Sequence, residues 1–195
     1  MRLFVALWPP QEVVEELRAA VAAVRDLAPG VRWTTPEQWH LTLAFLGEVD
    51  EAHGADLEVR LARAAARHAP ATLRLAGAGR FGDRVLFVKV TGDVVPVRHL
   101  AASVTAAARR ARIDVDERPY RPHLTLARAA ARRQHADGGG QDEALRLAPV
   151  AAALDAFAGS PWSAGELCLV RSHLGRAPGR RAAYETLTAW ALGRG

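Results

Sequence analysis

His40-Leu41-Thr42-Leu43-Ala44 and His123-Leu124-Thr125-Leu126-Ala127 are the same five residues, set 83 positions apart. Leu3-Phe4-Val5 returns as Leu86-Phe87-Val88 at that same spacing. Two matches at one offset mark an internal repeat, running roughly over 2–46 and 85–129 of the 195 residues, a length that makes one domain or two small lobes. Each copy reads as an apolar strand, an amphipathic helix, a further strand and the histidine strand.

On an extended strand, side chains alternate between two faces. Leu41 and Leu43 therefore enter a core while His40 and Thr42 point the other way, and the same holds for Leu124 and Leu126 against His123 and Thr125. If the two halves face each other, two imidazoles and two hydroxyls line one cleft.

Working outward, residues 2–8 read as a buried strand stopped by Pro9-Pro10. Val14, Leu17, Val21 and Val24 then recur at helical spacing, with Glu12, Glu15 and Glu16 near the helix start, until Pro29-Gly30. A short strand over Val31–Thr34 and a turn over Thr34–Glu37 lead to the first histidine strand, which Gly47 closes. Residues 55–68 and 96–111 have helical periodicity, and strands are expected at Thr72–Leu75, Val85–Val90, 150–157 and 166–171. Tyr184–Leu192 fits a strand or a short helix equally. The stretch Arg132–Gly140 reads as a surface loop. Gly77-Ala78-Gly79-Arg80-Phe81-Gly82 matches G-x-G-x-x-G literally, but a dinucleotide fingerprint must open a helix. Here a β-branched, aromatic stretch comes next, so these residues are expected to form a loop. Strand-helix-strand units repeated in this way give an α+β or α/β protein with two related halves.

Half of the residues are hydrophobic and 24% are charged, which excludes a disordered chain. The formal charge is +5, from 26 basic and 21 acidic residues, with Lys89 the only lysine. That balance permits an anionic partner by steering without identifying one. Cys168 stands alone, so no internal disulfide and no cysteine metal cluster is expected. MRLFVALWPP lacks the features of a secretory leader, and no stretch is long and apolar enough for a membrane span, so a cytoplasmic location is expected.

A cleft of two histidines and two threonines suits paired proton transfer. Histidine titrates near neutrality, so one ring can act as a neutral base while the other acts as a protonated acid. Threonine hydroxyls can donate to oxygens that gain charge in the transition state. Phosphorus fits the arrangement, because attack and departure occur on opposite sides of its centre. A cyclic phosphodiester would need only water and proton transfers, with no metal and no cofactor. A lone strand histidine is ordinarily a packing residue. The doubled unit is what turns the reading toward chemistry.

Both H-x-T-x units, with Arg2–Leu7, Gly30–Trp33, Ala44–Val49, Arg84–Val88 and Arg121–Arg128, resemble the RNA 2',3'-cyclic phosphodiesterase branch of the two-histidine phosphoesterases. Some members of that branch carry the name 2'-5' RNA ligase. The resemblance implies a bilobal α+β fold with the cleft between its lobes, and hydrolysis of a terminal 2',3'-cyclic phosphate on RNA to a 2'-phosphomonoester without metal. It implies His40 as proton donor, His123 as proton acceptor, and Thr42 and Thr125 as holders of phosphate oxygens. Strand periodicity alone does not separate acid from base.

Arg128, Phe45, Tyr120 and Arg121 are the further candidates for substrate contact. Arg128 lies an odd number of residues from Thr125, so a straight strand turns it away from the cleft and only a bend brings it in. Arg80, Arg84 and Arg171 are candidates for backbone phosphates, although scattered arginines usually just face solvent. The chain departs from the family pattern at Gly82, where proline is common, at Phe87, where tryptophan is common, and in the arginine- and glycine-rich stretch 175–181. The expected partner is RNA ending in a cyclic phosphate, with tRNA fragments among the candidates. No membrane and no obligate protein partner are expected, and the chain is read as a monomer. Two rival readings stand beside this one: a phosphodiesterase for small cyclic nucleotides or tRNA-splicing by-products, and a non-catalytic protein that binds RNA ends.

Overall fold

The computed structural model describes all residues except 30, 116–117, 130–139, 178–180 and 194–195; for 140–146, 176–177 and 181 it describes the backbone alone. The loop expected at Arg132–Gly140 lies almost wholly outside the described residues. Strand β1 (Arg2–Leu7) runs into helix α1 (Gln11–Val24), and β2 (Arg32–Trp33), a short 3-10 turn (Pro36–Gln38) and β3 (Leu41–Glu48) come after it. Then come α2 (Glu51–Ala65), β4 (Ala71–Phe81), β5 (Val85–Gly92), α3 (Val94–Arg110) and β6 (His123–Arg128). The chain closes with α4 (Gly140–Ala153), β7 (Trp162–Ala164), β8 (Glu166–Ala177) and β9 (Arg181–Ala191).

Among the described residues the strands join in one antiparallel sheet, ordered β7-β4-β5-β6-β3-β1-β8-β9, with β2 added on β6. The order is symmetric about the β6–β3 junction, with the repeated strands β5 and β1 flanking the histidine strands β6 and β3. That junction is one pair, Leu41 with Leu124, and these are equivalent positions of the repeat. The two halves are thus parts of a single sheet rather than separate sheets.

One sheet face carries the helices. Leu3, Val5 and Leu7 of β1 join Leu41, Leu43, Leu124 and Leu126 in the main core. α1 adds Val13, Leu17, Val21 and Val24, a stripe at steps of four, four and three. Val13, not Val14, leads that stripe, and Pro10 caps the helix, its carbonyl accepting from the N–H groups of both. α3 adds Val97, Leu100 and Val104. The opposite face holds a smaller cluster of Phe4, Ala6, Cys168 and Val170, with Trp8 and Tyr184 packed on it. It forms the floor beneath one half of the cleft.

Two sequence expectations are corrected. Residues 150–157 are not a strand: α4 continues to Ala153 with Pro149 inside it, and Val150 and Leu154 are buried in the core. Residues 77–82 are not a loop either, since β4 runs to Phe81 and bulges between Leu75 and Ala78. Gly77 takes the left-handed backbone there, at φ +69, which a side chain would resist. Strand β5 comes directly after the turn at Gly82, so the glycine pattern opens no helix. Tyr184–Leu192 resolves as strand, paired along β8. No helix among the described residues is long and apolar enough to cross a membrane.

Candidate active site

The cleft starts from the Leu41–Leu124 pair. Continued one residue to either side, that antiparallel register would set His40 against Thr125 and Thr42 against His123. All four point away from the buried leucines. Both imidazoles and both hydroxyls line one hollow. The hollow they line is completed by Thr34, Gln38, Phe45, Arg128 and Tyr184.

Bulges decide which later residues enter. In β3, Ala44 pairs with Val5 and Thr42 with Ala6, so Leu43 is the extra residue. In β6, Ala127 pairs with Leu86 and Thr125 with Phe87, so Leu126 is the extra residue. Leu43 and Leu126 are equivalent positions of the repeat. Each bulge shifts the alternation by one residue and turns the third residue after the threonine back into the cleft. That residue is Phe45 in one half and Arg128 in the other. The bent-strand alternative for Arg128 is the one observed.

A bulge leaves carbonyls outside the ladder, and they need donors. Thr34 supplies them in β6. Its N–H reaches the Leu126 carbonyl at 2.8 Å, and its hydroxyl approaches the Leu126 and Thr125 carbonyls at 2.8 and 3.0 Å. The buried Trp39 indole N–H donates to that same hydroxyl oxygen at 2.9 Å. Gln38 links the turn to β9: its amide donates to the Ala182 carbonyl at 2.8 Å while its side-chain oxygen accepts from the Thr35 N–H.

Both histidines are oriented alike. Nδ1 of His40 lies 2.7 Å from the Gln38 carbonyl, and Nδ1 of His123 lies 2.7 Å from the Arg121 carbonyl. A carbonyl only accepts, so Nδ1 carries the proton in each ring and Nε2 is left for the cleft. His40 is enclosed by Phe4, Trp8 and Tyr184, with ring centroids at 4.7, 5.3 and 5.2 Å. His123 stands edge-on to Phe81 at 4.7 Å and lies 5.4 Å from Phe87. Gly79 makes room for that wall, because a Cβ there would come within 2.5 Å of the Phe87 ring.

These aromatic walls set the protonation. Burial pushes His40 down to about 4, with His123 and Arg128 nearby adding to the effect and the Gln38 carbonyl opposing it. His123 is lowered for the same leading reason, with Arg128 adding to it and the Arg121 carbonyl opposing. Both shifts favour the uncharged ring in the free cleft. Burial also raises the Tyr184 phenol.

Two expected contacts lie elsewhere. Tyr120 packs against the main core and lines a different hollow, with its hydroxyl buried and without a hydrogen-bond partner among the described residues. The Arg121 side chain is exposed and is not among the residues lining the cleft; its carbonyl is what serves the site. Arg80 pairs with Asp83, and neither Arg84 nor Arg171 lines the cleft. Conversely, Thr34, Gln38, Trp8 and Tyr184 escaped the sequence reading. The only sequence signal for Thr34 and Gln38 was their nearness to the first motif.

A family model for the 2'-5' RNA ligase superfamily matches residues 6–176. The chain belongs to the 2'-5' RNA ligase superfamily. The RNA 2',3'-cyclic phosphodiesterase of Geobacillus stearothermophilus is 33% identical over 163 residues, 82% of this chain and 47% of that protein, so the match spans about half of that relative. The RNA 2',3'-cyclic phosphodiesterase of Thermus thermophilus is 34% identical over 184 residues, 89% of this chain and 83% of the relative. Among solved structures, Escherichia coli LigT complexed with 3'-AMP superposes with a TM-score of 0.74 at 26% identity, covering 99% of this chain and 98% of that one. Within this superfamily fold, two imidazoles, two hydroxyls and a guanidinium surround one hollow. Such a set can hold an anion and move protons at either end of it.

Proposed function

We propose that this chain hydrolyses the terminal 2',3'-cyclic phosphate of RNA to a 2'-phosphomonoester and a free 3'-hydroxyl. His123 Nε2 takes a proton from water as the water oxygen forms its bond to phosphorus. The bond from phosphorus to the 3'-oxygen breaks in line with that attack, and His40 Nε2 gives its proton to the departing oxygen. Thr42, Thr125 and Arg128 hold the remaining phosphate oxygens, which carry the charge that builds in the transition state. Phe45, 59% exposed on the cleft, offers a face for the terminal base.

The observation that carries this reading is the matched pair of imidazoles. Each is fixed by a carbonyl two residues earlier, and both line one hollow with Thr42 and Thr125. The low proton affinity of His40 fits an acid that is charged by its substrate. A phosphate anion close to the ring favours the imidazolium, so substrate and proton enter together. The partner is read as RNA, tRNA fragments among the candidates, the location as cytoplasmic and the chain as a monomer. No step requires a metal, and the activity is expected to survive a chelator.

The test is incubation with an oligonucleotide ending in a 2',3'-cyclic phosphate in EDTA, then mass and isomer analysis of the product. A 2'-phosphate product supports the reading and excludes an end-binding protein without turnover. Loss of product on chelation contradicts it. Turnover of small cyclic nucleotides alone would move the assignment to that rival substrate.

A further inference from the structure

A second hollow, of about 450 Å³, is lined by Arg98, Arg109, Arg110 and Arg118 together with Thr105 and Tyr120. It lies on α3, whose buried face joins the main core, so it opens on the side of the sheet away from the cleft. Arg98 and Arg109 are eleven residues apart, about 16 Å along a helix. Steps of four, three and four through residues 102 and 105 keep them on one face. The residues between them are short (Ala102 and Thr105), so another chain can approach the helix closely. Arg98 and Arg110 are exposed and make no ion pair among the described residues.

This hollow is tied to the chemistry through Tyr120. Its side chain lines the arginine hollow, and the chain reaches His123 three residues later, a span of roughly 10 Å at most. The intervening Arg121 carbonyl orients the catalytic ring. A strand that leaves the cleft around the start of β6 would have this span to cover to reach the arginines.

We propose that this hollow binds backbone phosphates of the RNA strand on the 5' side of the cyclic end, and so sets a preference for longer substrates. The inference rests on the reading of the cleft given above. Arginine forks match phosphate oxygens in pairs, and a row about 16 Å long exceeds what one small anion fills.

The test compares the protein with its Arg98→Ala/Arg110→Ala variant, leaving Arg109 and Arg118 in place. Turnover of a 2',3'-cyclic mononucleotide is measured beside a series of 5'-extended oligonucleotides with the same end. The mononucleotide rate should be unchanged, while kcat/KM for the longer substrates falls roughly tenfold and the log–log salt slope shrinks by about 0.7 per arginine. A length series and salt slope identical in the two proteins would overturn the proposal. Anisotropy with an RNA ending in a plain 3'-hydroxyl reads the hollow without any turnover. Binding that weakens in the variant supports an RNA exosite even if the cleft proves inactive, and unchanged binding refutes it. Thermal unfolding checks that the variant folds, and Arg98→Gln/Arg110→Gln, which keeps more of each side chain, must give the same loss.

Discussion

His40→Gln removes a largely buried ring whose proton affinity the fold has lowered from 6.5 to about 4. Between those values the unfolded chain binds a proton that the folded chain refuses. Stability is thus complete above pH 6.5 and declines as the pH falls toward 4, where the folded ring at last titrates. Integrated over that window, the loss is about 2 kcal/mol by pH 5 and about 3 kcal/mol by pH 4. His123 and His68, also lowered, add losses of the same sign. The variant lacks only the His40 share. Urea unfolding monitored by tryptophan fluorescence, on both proteins at pH 7 and pH 5, gives the difference directly. The wild type should lose about 2 kcal/mol more than His40→Gln between the two pH values. Parallel losses would refute the burial of this ring in a neutral state. Sulfate, whose charge is constant over this range, should bind more tightly at pH 5 than at pH 7 in the wild type, because an anion between the rings restores the proton.

Thr34→Val deprives the carbonyls at the β6 bulge of a hydroxyl and leaves the Trp39 indole without its acceptor; denaturant titration should show a loss of about 1–3 kcal/mol. Gly79→Ala sets a methyl against the Phe87 ring that backs His123, and the expected cost is about 1–3 kcal/mol in stability with reduced turnover, read from paired unfolding and rate assays. Phe45→Ala changes a largely exposed side chain, so the unfolding midpoint should hold while KM for RNA ends rises roughly tenfold from a lost base stack. An unchanged KM would remove Phe45 from the substrate site.

Much of this was legible in the repeated H-L-T-L unit. Its period of two separates Leu41, Leu43, Leu124 and Leu126 from the imidazoles and hydroxyls, and burial obeys that division. The bulges at Leu43 and Leu126 were not legible, because an inserted strand residue leaves no local signature when both neighbours are apolar. Arg128 was undecidable for that reason. Residues 150–157 were misread because an opening run of valine, alanine and leucine fits a strand as well as a helix, and Pro149 looks like a break although α4 passes through it. Tyr184 and Trp8 reach His40 from strands or strand ends distant in sequence, so no pattern around the motif could announce them.

The most direct test of the central claim is single-turnover hydrolysis of a 2',3'-cyclic-phosphate oligonucleotide by the wild type, His40→Ala and His123→Ala, in EDTA. Each substitution should slow the chemical step roughly 10²–10⁴-fold, as expected for a positioned proton donor or acceptor. Near-normal rates from either variant would contradict a mechanism in which the two rings work at opposite ends of one phosphoryl group.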